Sequence, residues 1–179
     1  MKLLLFAGIS LFWSTAFGQT PYDFKGLRLG SPLAAVQAGT QYECGKSELP
    51  DFDDTCTLKP GTFITLAEVK AESLDLNFLS GRLGSIHVRF PSADFDAVET
   101  ALRDKYGVPK KTETSIVTNR FGARFSNREI LWDNGVSQVT AKRFTTNLEV
   151  SSVTLWLKSI EKEIARRSEE GRKKRAKDL

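Results

Sequence analysis

Hydrophobic and polar residues alternate with period two in Leu74-Asp-Leu-Asn-Phe78 and again in Ile86-His-Val-Arg-Phe90, the pattern of strands that bury one face. Ser80-Gly81-Arg82 between them supplies a turn, so the two segments read as a hairpin. Residues directly opposite in a hairpin share a face. Leu74, Leu76, Phe78, Ile86, Val88 and Phe90 all carry even numbers, so a common inward face demands a loop of odd length, three residues here. The same arithmetic sets Asp75 opposite His87. Pro91-Ser92 then opens a helix with Ser92 or Asp94 as N-cap, and Asp94 and Asp96 favour its positive end. Phe95, Val98, Leu102 and Tyr106 form its apolar stripe, and Gly107 and Pro109 end it.

Flanking segments extend this unit. Ser31-Pro32 predicts a short helix of two to three turns with Leu33 and Val36 on one side, ending at Gly39. Residues 42–60 read as a loop, with a strand over Thr62–Leu66 after it. Beyond Pro109 the chain turns to strands: Thr112–Thr118, a segment with Phe121, Ala123 and Phe125 at period two, Ile130–Asp133, Val136–Phe144 and Val150–Leu157. Asn134-Gly135 signals a two-residue type I′ turn, which pairs Trp132 with Ser137 and Ile130 with Val139. Trp132 then points inward. Trp156 is out of phase with Val153, Leu155 and Leu157, although core packing is the default for both tryptophans. The fold class that results is α+β: antiparallel sheet with helices packed on one face, built as one domain over 19–158 or as two fused helix-plus-sheet repeats, 24–90 and 91–158.

The first 18 residues read as an address rather than as structure. Lys2 is the positive start, Leu3 to Trp13 the apolar stretch, and Ala16-Phe17-Gly18 a small-x-small cleavage signal. The apolar stretch is far shorter than the ~20 residues a spanning helix needs, and no Cys near the cut offers a lipid anchor. The expectation is a protein of the periplasm or the cell exterior with no transmembrane segment. Export permits a disulfide, and the only two cysteines, Cys44 and Cys56, are assigned to one. With a single His in the chain, they lack the four ligands of a structural zinc site. From Lys158 onward nine Lys/Arg stand against five Asp/Glu, which accounts for the whole net charge of +4. Basicity therefore belongs to a charged helical tail, 159–179, and not to a nucleic-acid-binding surface. Only Ile160 and Ile164 give that tail an apolar side, and beyond Ala165, where it is nearly all charge, it is expected to project or fray.

Candidate chemistry is sparse. His87 is the only residue whose ordinary pKa lies near neutrality, and the hairpin arithmetic puts it on the polar face with Asp75, Asn77, Ser85 and Arg89. An Asp75–His87 pair would orient a base, but a catalytic constellation also needs a nucleophile within reach; Ser85 and Ser73 are the nearest, and neither sits on a strained turn. The acidic run Asp51-Phe-Asp-Asp54 lacks the glycine and distal glutamate of a calcium loop. No nucleotide, zinc-protease or serine-hydrolase motif is present. These observations assign no catalytic residue, metal or cofactor.

Helix, cysteine loop and strands, followed by helix and strands again, is similar to the β-lactamase-inhibitor-like fold, in which each repeat is a short helical part followed by an antiparallel sheet. The Gly26-Leu-Arg-Leu-Gly-Ser-Pro-Leu-Ala-Ala-Val36 opening carries the likeness, which covers about 25–157, while the Lys105-Tyr-Gly-Val-Pro109 helix end is similar to that of small exported bacterial proteins. In architecture the chain also resembles small outer-membrane-assembly lipoproteins of the SmpA/OmlA type, without their lipidated Cys, and small exported bacterial proteins. The resemblance implies a disulfide after the first helix. The function expected is a non-catalytic protein-binding module, an inhibitor or envelope-assembly accessory with a protein partner in the cell envelope. Its binding face would hold Asp75, Asn77, His87, Arg89 and Trp156. The alternatives are a small hydrolase using Asp75 and His87, or a small-ligand carrier.

Overall fold

Eight antiparallel strands form one sheet in the computed structural model, which describes residues 19–177; the leader read over 1–18 lies outside the described residues. In chain order the strands are β1 (Tyr42–Lys46), β2 (Asp54–Leu58), β3 (Ser73–Leu79), β4 (Arg82–Pro91), β5 (Lys111–Thr118), β6 (Arg124–Asp133), β7 (Ser137–Lys142) and β8 (Val150–Leu157). Their order across the sheet is β1-β2-β3-β4-β8-β7-β6-β5. Each half is thus a four-stranded meander preceded by a helix, and the halves meet where their last strands pair. The helices are α1 (Leu33–Gln37), α2 (Phe95–Tyr106) and α3 (Glu161–Lys177). Two ribbons of two-residue strands, Asp23–Phe24 with Leu27–Arg28 and Thr65–Leu66 with Val69–Lys70, complete the α+β fold.

The central hairpin has the expected face and register by another device. Leu74 lies opposite Val88, Asp75 opposite His87 and Leu76 opposite Ile86. The turn is only two residues, Ser80 and Gly81, both at positive φ, as a type I′ geometry requires. A bulge between Asn77 and Phe78 on one side and Ser85 and Leu83 on the other leaves Gly84 as the extra residue and restores the parity. Leu74, Leu76, Phe78, Ile86, Val88 and Phe90 are all buried, in one core with Phe95, Val98 and Leu102 of α2. Each such side chain is worth roughly 1.5–3 kcal/mol of burial. Gly107 ends α2 at φ 76°, and the Trp132 indole N–H donates to the Gly107 carbonyl at 2.8 Å, tying the helix end to the sheet.

Several expectations change in the structure. Residues 42–60 are not a loop: they hold β1 and β2, with Cys44 opposite Cys56, joined as a disulfide at a Cα separation of 4.0 Å. The helix at Ser31 is only five residues long and Ser31 does not cap it. Its backbone is held extended instead, because Gly30, Ser31 and Leu33 bond to Leu83 and Gly81 of the neighbouring hairpin. The strand over 62–66 shrinks to Thr65–Leu66. At Asn134-Gly135 the register slides by two, so Trp132 faces Val139 and Ile130 faces Ala141. A type I′ turn needs positive φ at both residues and only Gly135 has it. Asn134 turns its side chain onto the N–H groups of Val136 and Ser137 at 3.2 and 2.8 Å, which opens the turn into a longer loop. The inward face is unaffected, since a slip of two preserves parity.

The charged tail is docked over its first turns. Ile160 is buried and Ile164 half-buried, and the Arg167 guanidinium pairs with Asp53 at 2.7 Å. Asp53 also accepts from the Ser80 N–H at 2.7 Å, and these two donors hold its carboxyl below the usual carboxylate range.

Candidate functional site

Odd-numbered side chains of β3, and of β4 from Ser85 onward past the Gly84 bulge, stand on the face away from α2, and register carries the same face across the sheet. One row runs Glu43, Thr57, Asp75, His87, Thr154, Thr140. The next runs Gly45, Thr55, Asn77, Ser85, Trp156, Gln138 by the same pairings. The first row stays polar across these six strands, up to Leu131 on β6. The loop after β1 rises beside these rows and encloses a cleft of about 640 Å³ lined by Glu43, Lys46, Leu49, Asp75, His87 and Arg89 among others.

The cleft floor is hydrogen-bonded from strand to strand. Thr55 donates to the Asn77 side-chain oxygen at 3.0 Å, and the Asn77 amide donates to the Ser85 hydroxyl at 3.1 Å. The Ser47 hydroxyl extends this chain from Thr55 at 2.9 Å. Asn77 is only 4% exposed, so a buried amide with both ends satisfied fixes this part of the floor. Arg89 is exposed and its Nε donates to Ser73 at 2.7 Å. His87 is half-buried, and burial is the main reason its pKa falls below the ordinary 6.5, opposed by Asp75 and assisted by Arg89.

Asp75 and His87 face each other across the strands, yet the histidine does not bond to the carboxylate. Its Nδ1 lies 2.9 Å from the Thr154 hydroxyl on the opposite side. A hydroxyl beside an imidazole is the geometry of an activated nucleophile, but acyl transfer also requires donors for the developing oxyanion. Thr154 sits mid-strand, paired with His87 on one side and Thr140 on the other, so the nearby β8 backbone N–H groups are spent in the ladders. What the arrangement offers is a concave, mixed-charge surface: Glu43, Glu48 and Asp75 against Lys46 and Arg89.

Of the residues chosen from sequence, the structure brings Asp75, Asn77, His87 and Arg89 into one cleft. Trp156 is on the same face but does not line the cleft. It is half-buried, with Phe52 packed edge-on at 5.9 Å, and is therefore no free aromatic anchor. Cys44 and Cys56 brace the cleft's outer wall through their disulfide. Sequence reasoning missed Glu43, Lys46, Leu49, Thr55, Thr57 and Thr154. Reading the two cysteines as facing residues of adjacent strands would have placed Glu43, Thr55 and Thr57 on this face. Among the described residues, no group of three or more His, Cys, Asp or Glu is arranged to hold a metal ion, and no helix is long and apolar enough to cross a membrane.

The class that fold and site define is an α+β protein with an eight-stranded antiparallel sheet and a polar cleft on its uncovered face. Compared with known proteins, the chain matches no protein family, no curated protein and no solved structure.

Proposed function

We propose that the chain is an exported, non-catalytic module that binds a protein partner across the uncovered face of its sheet, as an inhibitor or an accessory of envelope assembly. The observation that carries this reading is the polar row from Glu43 to Thr140, which crosses six strands. A surface braced by a disulfide and a satisfied amide network loses less freedom on binding than a mobile one. The mixture of acidic and basic groups suits a partner that is itself patterned in charge. The disulfide and the short apolar leader support export, and the resemblance to inhibitor-like tandem folds points the same way. Two observations weigh against the other readings. His87 is hydrogen-bonded to Thr154 and not to Asp75, and the β8 N–H groups beside Thr154 are spent in the ladders. For a carrier with its cavity between sheet and helix, the pocket beside Leu102 and Tyr106 of α2 and Val153 of β8 holds only about 150 Å³, below the ~300 Å³ at which ligand pockets begin.

The test places a photo-crosslinking side chain at Thr57 or Thr140 in the protein's native host. A discrete protein adduct is expected from both positions, reduced at least tenfold by Arg89→Glu combined with Asp75→Lys. Adducts equally abundant in the charge-reversed protein, or none from either position, would sink the reading.

A further inference from the structure

The sheet ends in two unlike edges. β1 carries the protections that natural edge strands use: it is five residues long, presents Glu43 and Lys46, and buries Tyr42. β5 carries almost none. It is eight residues long, and Lys111 to Ile116 are all exposed. From Thr114 to Asn119 the sequence Thr-Ser-Ile-Val-Thr-Asn contains neither charge nor proline. Ile116, at its middle, is 52% exposed.

The backbone of this edge is set up to continue the ladder. Asn119 N–H bonds to the Ala123 carbonyl at 2.9 Å, and the register of β5 with β6 continues from that pair. Hydrogen-bonding pairs alternate along an antiparallel ladder, so odd-numbered residues of β5 turn their N–H and C=O toward β6. Thr112, Thr114, Ile116 and Thr118 turn theirs outward. A strand meeting this edge finds four consecutive donor–acceptor sets.

We propose that the occupant is β5 of a second copy of this chain, paired antiparallel about a two-fold axis at Ser115. Such an interface is self-complementary and closes at two subunits. Thr112 then faces Thr118 of the other copy, Thr114 faces Ile116, and each outward N–H and C=O is satisfied. Lys111 faces Asn119 and Glu113 faces Val117; just outside the strands Lys110, held by Asp133 at 2.8 Å, faces Arg120, and Ile116 packs beside Thr114 of the other copy. The product is one continuous sheet of twice eight strands, with both polar clefts left open. Ser115 meets its own copy as a non-hydrogen-bonded pair, the closer spacing of the ladder at about 4.5 Å between Cα atoms, within reach of a disulfide.

Three measurements on the purified protein decide this. Sedimentation of the native chain gives a dimer that dissociates on dilution. Ile116→Lys, which sets a charged chain in the pairing edge of each copy, weakens the dimer at least tenfold with an unchanged circular dichroism spectrum. Ser115→Cys forms an intermolecular disulfide under mild oxidation. A native chain monomeric at millimolar concentration, larger open-ended assemblies, a dimer indifferent to Ile116→Lys, or a dimer that Ser115→Cys leaves uncrosslinked each overturn it. The outcome is independent of the crosslinking from Thr57 and Thr140, which lie away from this edge.

Discussion

Breaking the Cys44–Cys56 disulfide gives the sharpest check on the edge hairpin. The bond closes a loop of sequence separation 12, for which chain-entropy reasoning gives about 3 kcal/mol. For a chain of this size each kcal/mol moves Tm by roughly 2–4 °C, so the shift expected is about 6–12 °C downward. The appropriate comparison is native protein against the Cys44→Ala/Cys56→Ala variant, by thermal melts in circular dichroism. Hydrogen exchange adds location. β1 has one neighbour, β2, so its amides lose protection first while those of β4 and β8 keep theirs. A change in Tm under about 2 °C, less than 1 kcal/mol is worth, would refute the claim that this bond restrains the unfolded chain. Equal loss of protection at β4 would refute the claim that the hairpin is a peripheral unit.

Acidification probes His87. Its folded pKa is held below the unfolded 6.5 by burial, so the unfolded chain binds the proton more tightly. The stability it contributes is complete above the unfolded value and is lost as pH falls through 6.5 toward the folded pKa. Denaturant midpoints are expected to decline as pH is lowered through 6.5, and His87→Gln should flatten that decline; an identical slope in the variant would dismiss the assignment. Truncating Ile160, buried in the notch that Gly84 leaves open, with Ile160→Ala should cost about 2–4 kcal/mol. The same variant should release α3 to proteases, and intact protection of residues 161–170 would show that the helix is held by something else.

The reach of the sequence differs from element to element. Alternation over 74–78 and 86–90 was enough to put Asp75 opposite His87 and both on the polar face, because parity survives a change of turn as long as one bulge compensates. The stripe Phe95, Val98, Leu102 located α2 for the same reason: its partners are regular. The register after Asn134 was not legible, since it depends on an Asn side chain choosing the N–H groups of Val136 and Ser137. β1 and β2 were missed because an edge strand and its neighbour whose inward face is built on Tyr42, Leu58 and a disulfide carry no hydrophobic rhythm. Trp156 could be seen to point outward, but the Phe52 ring that covers it comes from a loop about a hundred residues away, and nothing local announces such a contact. The tail's anchor on Asp53 is of the same long-range kind.

Strand order bears on how the chain reaches its final state during synthesis. β4 carries Ile86, Val88 and Phe90 and is flanked in the finished sheet by β3 and β8. Until Val150–Leu157 emerges, the first meander has an unprotected hydrophobic margin at what will become the centre of the molecule. Its completion awaits β8, about sixty residues further along the chain, so a product truncated before residue 150, or a pause there, leaves a sticky half-molecule that a chaperone would have to shield until then.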